Sequence, residues 1–131
     1  MSVDELIDRY SGTASLIAAS RRLLRTAFPD STETADPKAG LISYSYGAGY
    51  KNMLATLILG KQSLKVGIPY GAAFDDPRGL LKGGGKVHKH IPIHSTDDLE
   101  QPGLLELLDA SREAWQRRSS SSAPILRRST R

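Results

Sequence analysis

The stretch that decides the fold runs from Gln62 to Asp98 and reads QSLKVGIPYGAAFDDPRGLLKGGGKVHKHIPIHSTDD. Its first part, residues 63–68, alternates apolar and polar side chains, which is the pattern of a half-buried strand. An irregular segment over residues 70–79, here called the elbow, comes next. It is followed by the triple glycine of residues 83–85, here called the glycine turn, because consecutive glycines favour unusual dihedral angles. A second strand, Lys86–His94, and an acid-rich helix start complete the stretch.

The flanking sequence predicts helices at both ends of the chain and further strands between them. Apolar residues recur at helical spacing or alternate at strand spacing. The predicted helices cover Val3–Tyr10, Ala14–Phe28 and the region from Ser95 to Trp115, and the predicted strands cover Ser31–Ala35, Leu41–Gly47 and Asn52–Leu59. Short links exclude parallel pairing of neighbouring strands. We therefore predict an α+β two-layer sandwich. A mostly antiparallel sheet of four or five strands has two N-terminal helices and a C-terminal helix on one face.

Length and composition set limits on the class of protein. The 131 residues suit one domain. The chain has no cysteine, which excludes disulfides, thiolate catalysis and cysteine-held metal clusters. Its first ten residues lack the apolar core of a signal peptide, and no apolar run approaches the roughly 20 residues that span a bilayer. These features predict a cytoplasmic protein with no membrane span.

The net charge of +4 is unevenly distributed along the chain. Residues 1–116, the predicted single domain, carry 13 Lys and Arg against 14 Asp and Glu. Residues 117–131 carry five arginines and no acid, and they predict a disordered basic Ser/Arg tail. Such a tail suits weak contact with nucleic acid, although a plain solvated tail is the alternative. Arg21, Arg22 and Arg25 are expected on the solvated face of the second helix.

The glycine-rich run from Gly79 to Lys86 fails the requirements of a phosphate-binding loop. That motif is G-x-x-x-x-G-K followed by Ser or Thr. Here Leu80 occupies the position of the first glycine, and Val87 follows the lysine. We interpret the glycines as a turn whose backbone amides can attract an anion.

Three histidines share one parity of the second strand. His88, His90 and His94 have the spacing H-x-H-x3-H, and three imidazoles can form a zinc or iron site. At about 3.3 Å per residue, His88 and His94 would lie about 20 Å apart, whereas His88 and His90 would lie about 6.6 Å apart. The metal hypothesis therefore uses His88, His90 and Asp76. The alternative is that these histidines are solvent-facing or hydrogen-bonded.

The remaining candidate groups have both a structural and a functional interpretation. Asp75 and Asp76 are either caps of a short turn or a pair of acids available for acid/base work. Tyr44, Tyr46 and Tyr70 are interpreted as core and rim aromatics, because basic residues do not interleave with them as in a base-stacking platform. No Ser/His/Asp arrangement includes the strained strand-to-helix turn that presents a nucleophile in hydrolases. We therefore expect a protein that is not an enzyme.

The strand LKVGI and the run DPRGLLKGGGKVHKHIPIHSTDDL together resemble the YdhG-like family of uncharacterised domains. The resemblance is carried by the pattern Asp-Pro-x-Gly-Leu-Leu-x-Gly-x-Gly-Lys, a basic histidine-containing strand and an Asp-capped helix, and it extends more loosely over residues 10–116. It implies a compact α+β domain similar to frataxin. Some members are linked to intracellular iron handling. The family-like positions are Asp76, Pro77, Gly79, Leu80, Leu81, Gly83, Gly85, Lys86 and His90.

The leading hypothesis is a small non-enzymatic binding domain that recognises a small anion or a partner protein at the elbow and the glycine turn. Strand parity predicts that the imidazoles and Lys65 face water while Leu64, Val87 and Ile91 fill the interior. The alternative hypothesis is an iron or zinc carrier using His88, His90 and nearby acids. Pairing of the last strand with a second copy would give a homodimer. The predicted ligand-binding residues are Lys65, Tyr70, Asp76, Gly83, Gly85, Lys86 and His90.

Overall fold

The computed structural model describes residues 1–121, which form an α+β fold built on one antiparallel sheet. The five strands lie in chain order across the sheet; the first four are joined by short links, and the last link spans residues 69–88. The strands are β1 Thr32–Asp36, β2 Leu41–Ser45, β3 Met53–Ile58, β4 Leu64–Ile68 and β5 Lys89–Ile93. The predicted α+β class is confirmed, and β3, which is apolar on both faces, is the middle strand. The two-layer arrangement stays a prediction.

The described residues form three α-helices. Helices α1 Val3–Ile7 and α2 Ala14–Ala27 precede the strands in the sequence, and α3 Leu104–Ser121 follows them. Helix α1 begins with a capping box, in which the Ser2 hydroxyl accepts from the Glu5 N–H at 3.1 Å and the Ser2 N–H donates to the Glu5 carboxylate at 3.1 Å. The predicted helix Val3–Tyr10 is wrong beyond Ile7. Residues Asp8–Thr13 form a 3-10 segment, and the backbone of Tyr10 is non-helical.

The core lies where α2 and α3 meet the middle strand β3. Cross-strand partners Ile42, Leu57, Val66 and Ile91 form one row across β2 to β5, and all four side chains are fully or almost fully buried. Since cross-strand partners point to the same side of a sheet, this row defines the buried face. Helix α3 is also tied to β3 by Ser111, whose hydroxyl donates to the carbonyl of Leu54.

Strand β5 has the predicted parity but begins three residues later than predicted, at Lys89. Ile91 and Ile93 are buried on one face, and His90 lies on the other. The prediction that Val87 fills the interior is wrong, because its side chain is 49% exposed. The carbonyl of Val87 accepts from the N–H of Ala72 in the elbow at 3.0 Å. The chain therefore bends before the strand begins.

The predicted disordered tail starts too early, because α3 continues to Ser121. Arg118 donates two hydrogen bonds to the carbonyl of Lys51, at 3.2 and 2.9 Å. Its guanidinium also lies over the Tyr70 ring, 4.3 Å from the centroid. The rest of the predicted tail, with its proposed nucleic-acid contact, falls outside the described residues. Within residues 1–121, no helix combines the length and apolarity needed to cross a membrane.

Arg21 is the exception among the arginines predicted to be solvated. Its guanidinium donates two hydrogen bonds to the Glu33 carboxylate, at 3.0 and 2.9 Å. Glu33 also accepts from the hydroxyl of the fully buried Tyr44 at 2.6 Å. The three side chains form a polar network that joins α2 to the β1–β2 edge of the sheet.

Candidate functional site

The first candidate surface is the outer face, meaning the side of β4 and β5 that carries Lys65, Gly67 and His90. Gly67 pairs with His90, and Lys65 pairs with Pro92 in the antiparallel ladder. These residues alternate with the buried Val66, so their side chains point away from the core. Lys65 is exposed, as strand parity predicts, whereas His90, predicted to face water, is half-buried.

Gly67 allows two other side chains to lie close to the outer face. A side-chain carbon at this position would collide with the Thr56 hydroxyl and would lie 2.8 Å from His88 Nε2. The Thr56 side chain is 3% exposed, and its hydroxyl has no hydrogen-bond partner in the described part of the chain. Sequence reasoning missed Thr56. The available signal was a single hydroxyl within the otherwise apolar strand β3.

An aromatic cluster borders the outer face where β4 ends. The rings of Tyr50 and Tyr70 lie 4.9 Å apart, and the Tyr50 hydroxyl is 3.5 Å from His88 Nδ1. The same hydroxyl accepts from the N–H of Tyr70 at 3.3 Å. This contact anchors the left-handed backbone of Tyr70, whose φ is 61°. Tyr70 was predicted as a site residue, whereas Tyr50 and Arg118 were not.

The glycine turn packs against His88, just before β5, and against His90 within it. A side chain on Gly83, whose φ is 108°, would come within 3.1 Å of the His90 ring, and one on Gly85 would come within 2.6 Å of the His88 carbonyl oxygen. Lys82 forms an isolated antiparallel bridge with His90. The Lys82 N–H donates to the His90 carbonyl, with an N to O distance of 2.7 Å, and the His90 N–H donates to the Lys82 carbonyl at 3.0 Å. The structure therefore brings the predicted Gly83, Gly85 and His90 together.

Basic groups lie close to His90. Burial lowers the pKa of His90, and the neighbouring cations Lys65, His88 and Lys89 lower it further. Burial also lowers the pKa of His88. Lys89 is held in place because its ammonium donates to the Gly83 carbonyl at 2.6 Å. Lys65 and Lys89 therefore favour an anion near His90.

The predicted metal set of His88, His90 and Asp76 is not formed. Both carboxylate oxygens of Asp76 are engaged, since they accept from the N–H groups of Leu80 and Leu81 at 2.8 and 2.9 Å. Asp76 is thus a cap within the elbow, which was one of its two interpretations. Across residues 1–121, no three His, Asp or Glu side chains are grouped so that they could hold a metal ion.

Lys86 and His94, the remaining candidate residues, are both exposed. Lys86 is exposed beside the glycine turn. His94 is exposed beyond the opposite end of β5, where its N–H donates to the Asp98 carboxylate at 2.8 Å. His88 and His94 therefore flank opposite ends of β5, as a straight strand requires.

A second candidate surface is a cleft of about 640 Å³ between the elbow and α3. Asp75 and Arg78 line it from the elbow, and Glu106 and Arg117 line it from α3. Sequence reasoning pointed to Asp75 but not to the helix, because no local pattern shows which face of α3 meets the elbow.

Comparisons with protein-family models, with curated proteins and with solved structures find no match for this chain. The resemblance to the YdhG-like family therefore stays a prediction, and function has to be inferred from the geometry of the site.

Proposed function

We propose that this protein is a non-enzymatic binding domain that holds a small anion on the outer face, beside the glycine turn. The observation that carries the proposal is the position of Lys65 and His90 on one face of neighbouring strands, bordered by the glycine turn, whose Gly83 carbonyl accepts from the Lys89 ammonium at 2.6 Å. Like charges held close together on a partly buried surface repel one another. A bound anion relieves this repulsion, so the site gains affinity from groups that are already in place.

The register of the ladder sets the dimensions of the site. Lys65 and His90 are diagonal neighbours on paired strands, because their direct partners are Pro92 and Gly67. Such neighbours lie about 7–8 Å apart on one face. One anion of phosphate or carboxylate size can contact both side chains at this separation. The exposed glycine turn borders the site, and its backbone can be approached closely because it carries no side chains.

The hydroxyl groups near His88 are poorly placed to act as nucleophiles, which favours a binding role over a catalytic one. The Thr56 hydroxyl is buried, which limits access by a substrate. The Tyr50 hydroxyl lies a long 3.5 Å from the imidazole and already accepts the N–H of Tyr70. An activated nucleophile needs a closer base and an open approach.

Calorimetric titration with inorganic phosphate, pyrophosphate and citrate tests the proposal. We expect saturable binding of at least one of these anions, and a 3- to 10-fold weaker affinity in each of Lys65→Gln and His90→Gln, equivalent to about 0.7–1.4 kcal/mol. The matched control is Lys38→Gln, because Lys38 is exposed in the turn between β1 and β2. The absence of binding, or equal losses in all three variants, would contradict the proposal.

A further inference from the structure

The cleft between the elbow and α3 is separate from the outer face and has its own architecture. The elbow runs antiparallel to the helix. Tyr70, at its start, lies under Arg118 near the C-terminal end of α3. Arg78, at its other end, packs its aliphatic stem against Gly103, just before α3 begins. The volume of about 640 Å³ lies within the range of about 300–1,000 Å³ that is usual for ligand sites.

The floor of the cleft is apolar. Phe74 and Pro77 contribute from the elbow, and Leu107 and Ala110 contribute from one side of α3. Leu107 is buried, and both Phe74 and Ala110 are partly exposed. These side chains are therefore available to cover apolar groups of a ligand, and burial of apolar surface is the main favourable contribution to such binding.

The rim of the cleft carries two charges of each sign. Asp75 and Arg78 belong to the elbow, and Glu106 and Arg117 belong to α3. All four are exposed, and none forms an ion pair within residues 1–121. Glu106 and Arg117 lie about 16 Å apart along the helix axis at 1.5 Å per residue. The rim thus offers carboxylates and guanidiniums that are not paired with each other.

We propose that this cleft binds a short, extended peptide with free termini and apolar side chains. The peptide ammonium pairs with a carboxylate of the rim, its terminal carboxylate pairs with a guanidinium, and its side chains cover the apolar floor. Five extended residues at about 3.3 Å each span the distance between Glu106 and Arg117. Guanidiniums suit this role because they bind carboxylates in a bidentate manner.

A titration of the full-length protein tests this proposal with three ligands: a pentapeptide of leucine and alanine with free termini, the same peptide acetylated and amidated, and octanoate. We expect the free peptide to bind at least 10-fold more tightly than either of the others. Equal binding of the capped peptide would overturn the proposal, because the termini would then contribute nothing. Equal binding of octanoate would overturn it by assigning the cleft to apolar acids.

Two variants locate the binding in the cleft. Arg117→Met removes the guanidinium that the peptide carboxylate is proposed to reach, and Ala110→Phe fills the space beside α3. We expect each variant to weaken the affinity for the free peptide at least 5-fold. Two control variants should leave this affinity unchanged: Arg22→Met, at an exposed position of α2, and Lys65→Gln. Unchanged affinity in both cleft variants would overturn the proposal. Because Lys65→Gln affects only the outer face, failure here is distinguishable from failure of the anion site.

Discussion

At the scale of single residues, Glu33 shows how a side chain acquires a role that local sequence does not reveal. Helical periodicity placed Arg21 on a solvated face, but Glu33 on β1 lies within hydrogen-bonding distance of it. The hydrogen bonds from Arg21, followed by that from Tyr44, lower the pKa of Glu33. Burial and the hydrogen bond to Glu33 raise the pKa of Tyr44. The pairing depends on the fold because the two ions belong to different elements.

We expect Glu33→Gln to lower the free energy of unfolding by about 1.5–3 kcal/mol at pH 7, because the change weakens charge-assisted hydrogen bonds to partly buried partners. The pKa of Glu33 is lowered in the folded state, so its contribution is full above the unfolded value of about 4.3. The contribution is lost as the pH falls through the folded value. Urea denaturation at several pH values should show wild type and variant converging in acid.

The matched control for this prediction is Glu100→Gln, because Glu100 is exposed. It should leave the free energy of unfolding within about 0.5 kcal/mol of wild type. A stability difference for Glu33→Gln that persisted unchanged from pH 7 to strongly acidic pH would contradict the assignment.

At the scale of elements, the elbow is ordered by hydrogen bonds to neighbouring segments as well as by packing. Asp76 caps the N–H groups of Leu80 and Leu81, and the N–H of Ala72 donates to the Val87 carbonyl. Phe74, Leu80 and Leu81 pack against the core. This arrangement holds the glycine turn against β5 and the elbow along α3, so both candidate sites depend on it.

Asp76→Ala should lower the free energy of unfolding by about 1–3 kcal/mol, because two backbone N–H groups lose a charged acceptor. It should also speed hydrogen exchange of the Leu80 and Leu81 amides, which two-dimensional NMR measures directly. Asp75→Ala is the matched control, since Asp75 is exposed. Equal effects of the two substitutions would reject the cap and restore the interpretation of a functional acid pair.

The strands were predictable because alternation is a local property. Leu64, Val66 and Ile68 are buried, and Lys65 is exposed, as the alternation of β4 indicates. The ends of elements were less predictable. Val87, just before β5, accepts a hydrogen bond from the elbow, and Arg118, within α3, contacts distant residues. No pattern within either element encodes these partners.

At the scale of the whole molecule, the sequence indicated which strand residues face outward but not which groups surround them. Lys65, Gly83 and His90 come from one continuous stretch, and parity together with the glycine turn was enough to bring them into one hypothesis. Thr56 comes from the middle strand and Arg118 from the last helix. Their positions follow from sheet order and from the path of α3, which only the assembled fold determines.

The pKa of the His90 imidazole, followed by NMR with His90→Gln used to assign its signals, tests the anion site most directly. Without added anion, burial and the surrounding cations should keep this pKa below the ordinary value of about 6.5. Saturating phosphate should raise it, because an adjacent anion favours the charged imidazolium, and Lys65→Gln should raise it without any ligand. A pKa that stays the same in both experiments would contradict the convergence of cations on which the proposed function depends.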